Sequence, residues 1–227
     1  MEDQERIKIR TTLPLIPPID SRDEIHTARL ILRPPRVSDV PALHKLRTQH
    51  EVMQCTPLGV DKTLEDTLRS LDKMLPPNDS KTYHFHVFQK DTGELVGKGG
   101  MHGVDGCHFG WPEAGYSFKH EHWGKGYATE FMTAYLENWW SLPRKEVEIE
   151  VDPVSVGSEG LEAGDAPVVE RIAAVIDVTN KGSGRVLEKS GFTRFKEWKT
   201  LDFRDTHKGL YVDLAGFLSV APTRERN

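Results

Sequence analysis

Hydrophobic and polar positions alternate with two periods along the chain, and the change between them marks its elements. Residues 29–36, RLILRPPR, alternate charged and apolar side chains as a half-buried strand does, until consecutive prolines stop the pattern. Ser38 has the character of a helix N-cap, and Val40, Leu43 and Leu46 then follow at helical spacing. A second amphipathic helix fits DKTLEDTLRSLDKML, where Leu64, Leu68, Leu71 and Leu75 form one stripe that reads as core packing. Residues 83–89 and 94–101 are strand-like and are joined by the turn signal Lys90-Asp91-Thr92-Gly93. After a glycine-rich turn, HGVDG, the run PEAGYSF reads as a short strand. YATEFMTAYLENWW follows as a helix whose apolar face uses Ala128, Phe131, Met132, Tyr135, Leu136 and Trp139.

Beyond that helix, residues 143–170 alternate acids with valine or isoleucine and then loosen into Gly, Ser and Asp. The expectation is an exposed strand followed by a flexible acidic loop, an insertion at about 143–170. RIAAVIDV resumes as a strand, NKGSGRVLEKSGF as a short helix ending at Gly191, and TRFKEWKTL and KGLYVDLAGFL as a final strand pair. The order is one strand, two helices, three strands, a helix, a strand, a helix and two strands. Hairpins plus crossover helices place these in one mixed α/β (α+β) sheet. Residues 1–25 are polar and broken by Pro14, Pro17 and Pro18, which suggests an extended N-terminal arm ahead of a single domain over 26–227.

Composition narrows the class. The 227 residues are 37% hydrophobic and 29% charged, an ordinary globular balance. A net charge of −5 argues against a general nucleic-acid binder, which is usually basic. No stretch approaches a membrane span and the N-terminus lacks a signal peptide's apolar run, so no membrane partner and a cytoplasmic or nuclear location are expected. Two cysteines, Cys55 and Cys107, fit a reducing compartment better than a disulfide scaffold. His84 and His86 share one side of a strand, but with no HExxH or paired-cysteine motif their expected role is structural, and no metal is expected.

The chemistry concentrates in EHWGKGYATE, residues 121–130. Gly124-Lys125-Gly126 opens a helix at Tyr127, and the free amides of a first helical turn favour a phosphate or pyrophosphate. Lys125 adds charge and Thr129 a hydroxyl. Neither GxxxxGK[ST] nor GxGxxG is completed, so the loop is not a known nucleotide fingerprint, and ordinary turn punctuation is the competing reading.

EAGYSFKHEHWGKGYATEFM resembles the acyl-CoA-binding segment of the GNAT acetyltransferases, in the RimJ and RimL branch of Acetyltransf_3 type. NKGSGRVLEKSGF is similar to that branch's N-x-x-S-x-x-V-L-E-K-x-G-F, and RLILRPPRVSDVPAL to its opening strand and helix. The three matches stand in order and span about residues 27–200. The resemblance implies a three-layer sandwich with a central mixed seven-stranded sheet that splays near its middle. Acetyl-CoA as co-substrate would lie in the split. Tyr116, Ser117 and Phe118 would form one lip, and Trp123, Gly124, Lys125, Gly126, Tyr127, Ala128 and Thr129 the pyrophosphate seat. Asn180 would bond the cofactor arm, with Ser183 near the thioester sulfur. Glu121 departs from the Gln or Arg common there, and its charge cannot help to hold a pyrophosphate.

The activity implied is N-acetyl transfer by direct attack of a primary amine on the thioester. The acceptor is a protein N-terminus or lysine, or a small amine metabolite, and the protein a monomer or homodimer. Protonated amines need a base. Glu113 is the first candidate, sharing a strand face with Ser117, with His120 and His122 as second choices; a solvated strand-end acid is the plain alternative for Glu113. Ser183 is the candidate donor to the leaving thiolate. A non-catalytic acyl-CoA-binding or partner-binding module is the alternative class, motivated by Glu121 and the acidic insertion. That insertion also suggests electrostatic attraction of a cationic acceptor.

Overall fold

The computed structural model describes residues 6–222, apart from 55, 57, 105, 163–165, 203, 205, 206 and 208; at 159 and 162 it describes backbone alone. Ten strands are present among the described residues: β1 Ile7–Pro14, β2 Ile25–His26, β3 Leu30–Arg33, β4 Tyr83–Gln89, β5 Leu95–Gly103, β6 Glu113–Phe118, β7 Arg144–Val151, β8 Arg171–Asp177, β9 Thr193–Leu201 and β10 Tyr211–Val220. The helices are α1 Val40–Arg47, α2 His50–Met53, α3 Leu64–Asp72, α4 Tyr127–Ser141, α5 Gly157–Glu162 and α6 Lys181–Lys189.

Eight strands form one mixed sheet in the order β2-β3-β4-β5-β6-β8-β10-β9, one more than the seven expected. The extra member is β2, only two residues long, which adds to the edge at β3. All neighbours are antiparallel except β6 and β8. That parallel pair is joined by a single register match, Glu113 with Ala173, after which the strands part.

Helix α4 covers one face of the antiparallel half. Phe131, Met132, Tyr135 and Trp139 are fully buried there, on the apolar face expected from the sequence. Glycines on β5 let the aromatics settle onto the strand itself. A Cβ on Gly99 would lie 2.6 Å from the Phe131 ring, and one on Gly97 2.6 Å from Phe118. Tyr135 then ties helix to sheet, accepting from the Met101 amide at 2.9 Å and donating to the Tyr83 carbonyl at 2.8 Å.

A separate cluster of Leu43, Leu46, Val52, Met53, Leu71 and Leu95 seats α1 to α3. The stripe expected on α3 is rotated. Thr63 caps the helix in a capping box with Asp66, which turns Thr67 and Leu71 inward and leaves Leu64 47% exposed. Thr67 is buried because its hydroxyl donates to Asp61 at 2.7 Å, and Asp61 is held in turn by Arg47 at 2.5 and 2.8 Å.

Of the expected acidic insertion, the exposed strand is present as β7, while residues 153–162 are ordered where a flexible loop was expected, and 163–165 lie outside the described residues. The N-terminal segment expected as an arm supplies β1, which pairs antiparallel with β7 in a second, two-stranded sheet. Lys8 stands opposite Glu150 and Arg10 opposite Glu148, so basic residues of β1 face the acids of β7. Residues expected in a flexible loop instead form a turn at Pro153–Ser155 and helix α5. Buried Ser155 accepts from the Trp111 indole at 2.8 Å, anchoring this segment to a cluster of Ile9, Phe109, Trp111, Val151 and Val156. The acids of β7 find basic partners more than a hundred residues away, in a segment that the sequence reads as an arm. No described helix is long and apolar enough to cross a membrane.

Candidate active site at the opening of the sheet

Beyond Glu113, β6 pairs only with β5, through Ala114, Gly115, Tyr116, Ser117 and Phe118. Its opposite edge faces the split, and the N-terminus of α6 stands across from it. Asn180 caps α6, its side-chain oxygen accepting the Ser183 amide at 3.0 Å. Tyr116 reaches across the gap: its hydroxyl lies 2.7 Å from Ser183 Oγ and donates to the Ser183 carbonyl at 3.2 Å. Burial pushes the Tyr116 phenol up to about 12, so it remains a proton donor at neutral pH. The sequence assigns Tyr116 to the lip and Ser183 to the helix start without pairing the two. The tyrosine arrives from a strand 67 residues earlier.

At the end of β6, a short turn over His120–His122 leads into the glycine loop. Gly124 and Gly126 adopt φ of +73° and +80°, the left-handed region that other residues enter only at a cost. Gly126 is the N-cap of α4, and the first amide to find a helical acceptor is Glu130, bonding the Gly126 carbonyl at 3.0 Å. Among the described residues the amides of positions 124–129 have no backbone acceptor. Nothing lies within 4 Å of where a Gly124 Cβ would stand. Six open amides at the positive end of a 15-residue helix make an anion cradle, and a pyrophosphate fits its donor set.

Several predicted loop residues contribute backbone rather than side chain. Phe118 and Tyr127 are buried in the core, whereas Ser117, Ala128 and Thr129 are half-buried and Lys125 is exposed. The exposed Trp123 ring is pinned by its indole, which donates to the Phe118 carbonyl at 2.7 Å. Arg29 was not anticipated at this place. Its guanidinium lies over the Tyr127 ring at 4.6 Å, donates to the Lys125 carbonyl at 2.9 Å and pairs with Glu130 at 2.7 Å. In sequence it was merely the charged end of a strand.

Glu121, the departure from the expected loop, has a partner. Its carboxylate accepts from the Gln49 side chain at 2.8 Å, and the oxygen of that same amide accepts the His120 backbone N–H at 2.8 Å. Gln49 thus fastens the loop entrance to the α1–α2 connection and directs the acid into that clamp. Burial acts to raise the Glu121 pKa, but hydrogen bonds from its own backbone and Gln49 prevail and lower it. Of the second-choice bases, His122 is buried 3.5 Å from Glu94, and the His120 ring packs edge-on against Trp123 at 4.8 Å.

Glu113 sits at the vertex of the split, 4% exposed, not solvated as its plain alternative required. His102 Nε2 lies 2.9 Å from one carboxylate oxygen and His108 Nδ1 2.8 Å from the other. Burial alone would raise its pKa, yet the two imidazoles hold it at about 2. His102 is raised to about 9, with Cys107 and Glu113 outweighing burial. A carboxyl of that acidity is a poor direct proton acceptor. Neither histidine was singled out, because HGVDGCHFG reads as a turn until the hairpin folds.

On the face of β5 opposite Gly97 and Gly99, Lys98 stands in register with His86 and Ser117. Burial, then nearby Arg47, lowers the half-buried Lys98 to about 8. His86 is held by Asp39, its ring nitrogen Nδ1 lying 2.7 Å from the carboxylate.

Residues 29–193 match the model of the acetyltransferase (GNAT) domain. The chain is 26% identical over 140 residues to N-acetyltransferase p20 of Bacillus licheniformis, covering 60% of this chain and 77% of that relative. A GNAT-family acetyltransferase from Bacillus anthracis superposes with a TM-score of 0.62 at 25% identity, covering 88% of this chain and 99% of the other. RimJ of Mycobacterium smegmatis, in complex with CoA-disulfide, gives 0.62 at 20% identity over 85% and 82% of the two chains. The splayed sheet, the glycine loop opening α4 and the matched residues agree, and the chain belongs to the GNAT acetyltransferase family.

Proposed function

We propose that this acetyltransferase takes its acetyl group from acetyl-CoA and gives it to a primary amine by direct attack on the thioester. The observation that carries the reading is the run of unpaired amides from Gly124 to Thr129 at the mouth of the split. In this reading those amides hold the pyrophosphate, and the free edge of β6 aligns the arm of the co-substrate beside Tyr116, Ser117 and Phe118. Asn180 serves by capping α6, which sets Ser183 in place.

The transfer breaks a C–S bond and forms a C–N bond; the amine nitrogen loses a proton and the leaving sulfur needs one. We assign the second task to the Tyr116–Ser183 pair, which carries a hydroxyl proton at 2.7 Å between its oxygens. Glu113 is assigned a positioning role. It orients His102 and His108 at the vertex; with the carboxylate ionised and both imidazoles raised, the amine's proton leaves to solvent water.

The acceptor class is a protein N-terminus, a lysine or a small amine. Free-thiol release across a panel of amines and peptide N-termini tests the reading, paired with calorimetric titration of acetyl-CoA into the protein and into Gly124→Val and Gly126→Val. Undiminished binding in both glycine variants would sink the assignment of the seat. The features that suggested a non-catalytic module, Glu121 and the acidic stretch, have structural partners in Gln49 and β1.

A further inference from the structure

We propose that His102, Cys107 and Glu113 form a binding site for a divalent d-block ion of the zinc class. One ligand atom from each lies within 4.8 Å of the others. The three come from one hairpin: His102 from the end of β5, Glu113 from the start of β6, and Cys107 from the loop between.

The local chain is built to bring the thiol in. A Cβ on Gly103 would collide with Cys107 Sγ, so the sulfur occupies space that a side chain at 103 would fill. The loop turns on Gly106 at φ +88° and Gly110 at φ +82°, where an added Cβ on Gly106 would strike the Gly110 carbonyl. The Cys107 amide donates to the Trp111 carbonyl at 3.4 Å, closing the loop. Cys107 is a free thiol, half-buried.

Thiolate, imidazole and carboxylate together suit zinc, cobalt or ferrous iron, and not magnesium or calcium, which take oxygen alone. Three protein ligands leave one tetrahedral position for water or another small donor. The surrounding shell is also present. His108 Nδ1 lies 2.8 Å from the second oxygen of Glu113 and would fix the carboxylate while the first oxygen ligates. The His102–Glu113 separation of 2.9 Å needs to open only to about 3.3 Å for both to reach one tetrahedral ion. Because the ligands are all side chains of this hairpin, metal binding needs no acetyl-CoA, although His102 and Glu113 are shared with the vertex of the split.

The test uses the full chain stripped of metal. Titration with Co²⁺ should give one equivalent bound, with a thiolate-to-cobalt absorption band in the near ultraviolet. Zn²⁺ should displace it and raise the melting temperature. Cys107→Ser should abolish the band and weaken zinc binding more than tenfold, whereas Cys55→Ser should retain both. His102→Asn provides a second variant that keeps the thiol, and it should weaken zinc binding tenfold or more with the band shifted. Circular dichroism of each variant confirms that it is folded. Binding without a thiolate band, or zinc affinity unchanged in both Cys107→Ser and His102→Asn, would overturn the proposal.

Discussion

Gly124→Ala asks whether the loop's glycines are there for the turn or for an anion. At φ +73° an alanine costs about 1–2 kcal/mol of backbone strain. No heavy atom lies within 4 Å of the new Cβ, so no clash adds to that cost. Gly191 is a matched control: its φ is +86°, its Cβ position is also open, and it follows the C-terminus of α6 and is no part of the loop. Both variants should therefore lose about the same stability, a fall in Tm of roughly 2–8 °C for a chain of this size. Only Gly124→Ala should lose acetyl-CoA. A hydrogen bond to a charged group contributes about 1.5–3 kcal/mol, so displacing one amide from a phosphate should raise Kd by roughly 10- to 150-fold. Differential scanning calorimetry and titration calorimetry give the two quantities on the same samples. Equal acetyl-CoA affinity in Gly124→Ala and wild type, at matched strain, would refute the pyrophosphate seat. Equal loss in both variants would show that strain alone weakens binding.

Three further outcomes follow from named contacts. Gln49→Leu releases Glu121 and the His120 amide, and should weaken acetyl-CoA several-fold; adding Glu121→Gln should restore part of the loss, as calorimetry at low and high salt would show. Tyr116→Phe removes the hydroxyl facing Ser183 and should lower kcat by about 10- to 100-fold with acetyl-CoA Kd nearly unchanged, read by thiol release beside calorimetry. Asp39, bonded by Arg33, the Arg36 amide and His86, keeps its pKa at about 2 although burial opposes it, against 3.8 ordinarily. Because the folded value is the lower one, its stabilisation is present above about pH 4 and disappears as pH falls toward 2; it amounts to about 2 kcal/mol. Urea unfolding of wild type and Asp39→Asn at pH 7 and pH 3 should show the difference between them shrinking in acid.

Most elements were legible because their periods are local. TRFKEWKTL gave β9, YHFHVFQ gave β4, and the apolar face of α4 held at every fully buried position. The glycine loop was legible because left-handed turns before a helix need glycine itself. What the sequence concealed are pairings between distant segments. Nothing in residues 7–14 announces β7, and nothing in Gln49 announces Glu121, 72 residues on. Glu113 stands out in the sequence by its place on the strand, but the two imidazoles that hold its carboxylate do not. Two histidines of a glycine-rich turn change a candidate base into a clamped anion only once the hairpin closes.

Catalysis at this cradle is open to one direct measurement. The protein is mixed with acetyl-CoA and a panel of primary amines and peptide N-termini, with free thiol and the mass of the acceptor followed together. At least one amine should gain a single acetyl group as an equal amount of thiol appears, with the rate reduced in Tyr116→Phe. Tight acetyl-CoA binding with no acetylated acceptor and no thiol release across the panel would contradict it.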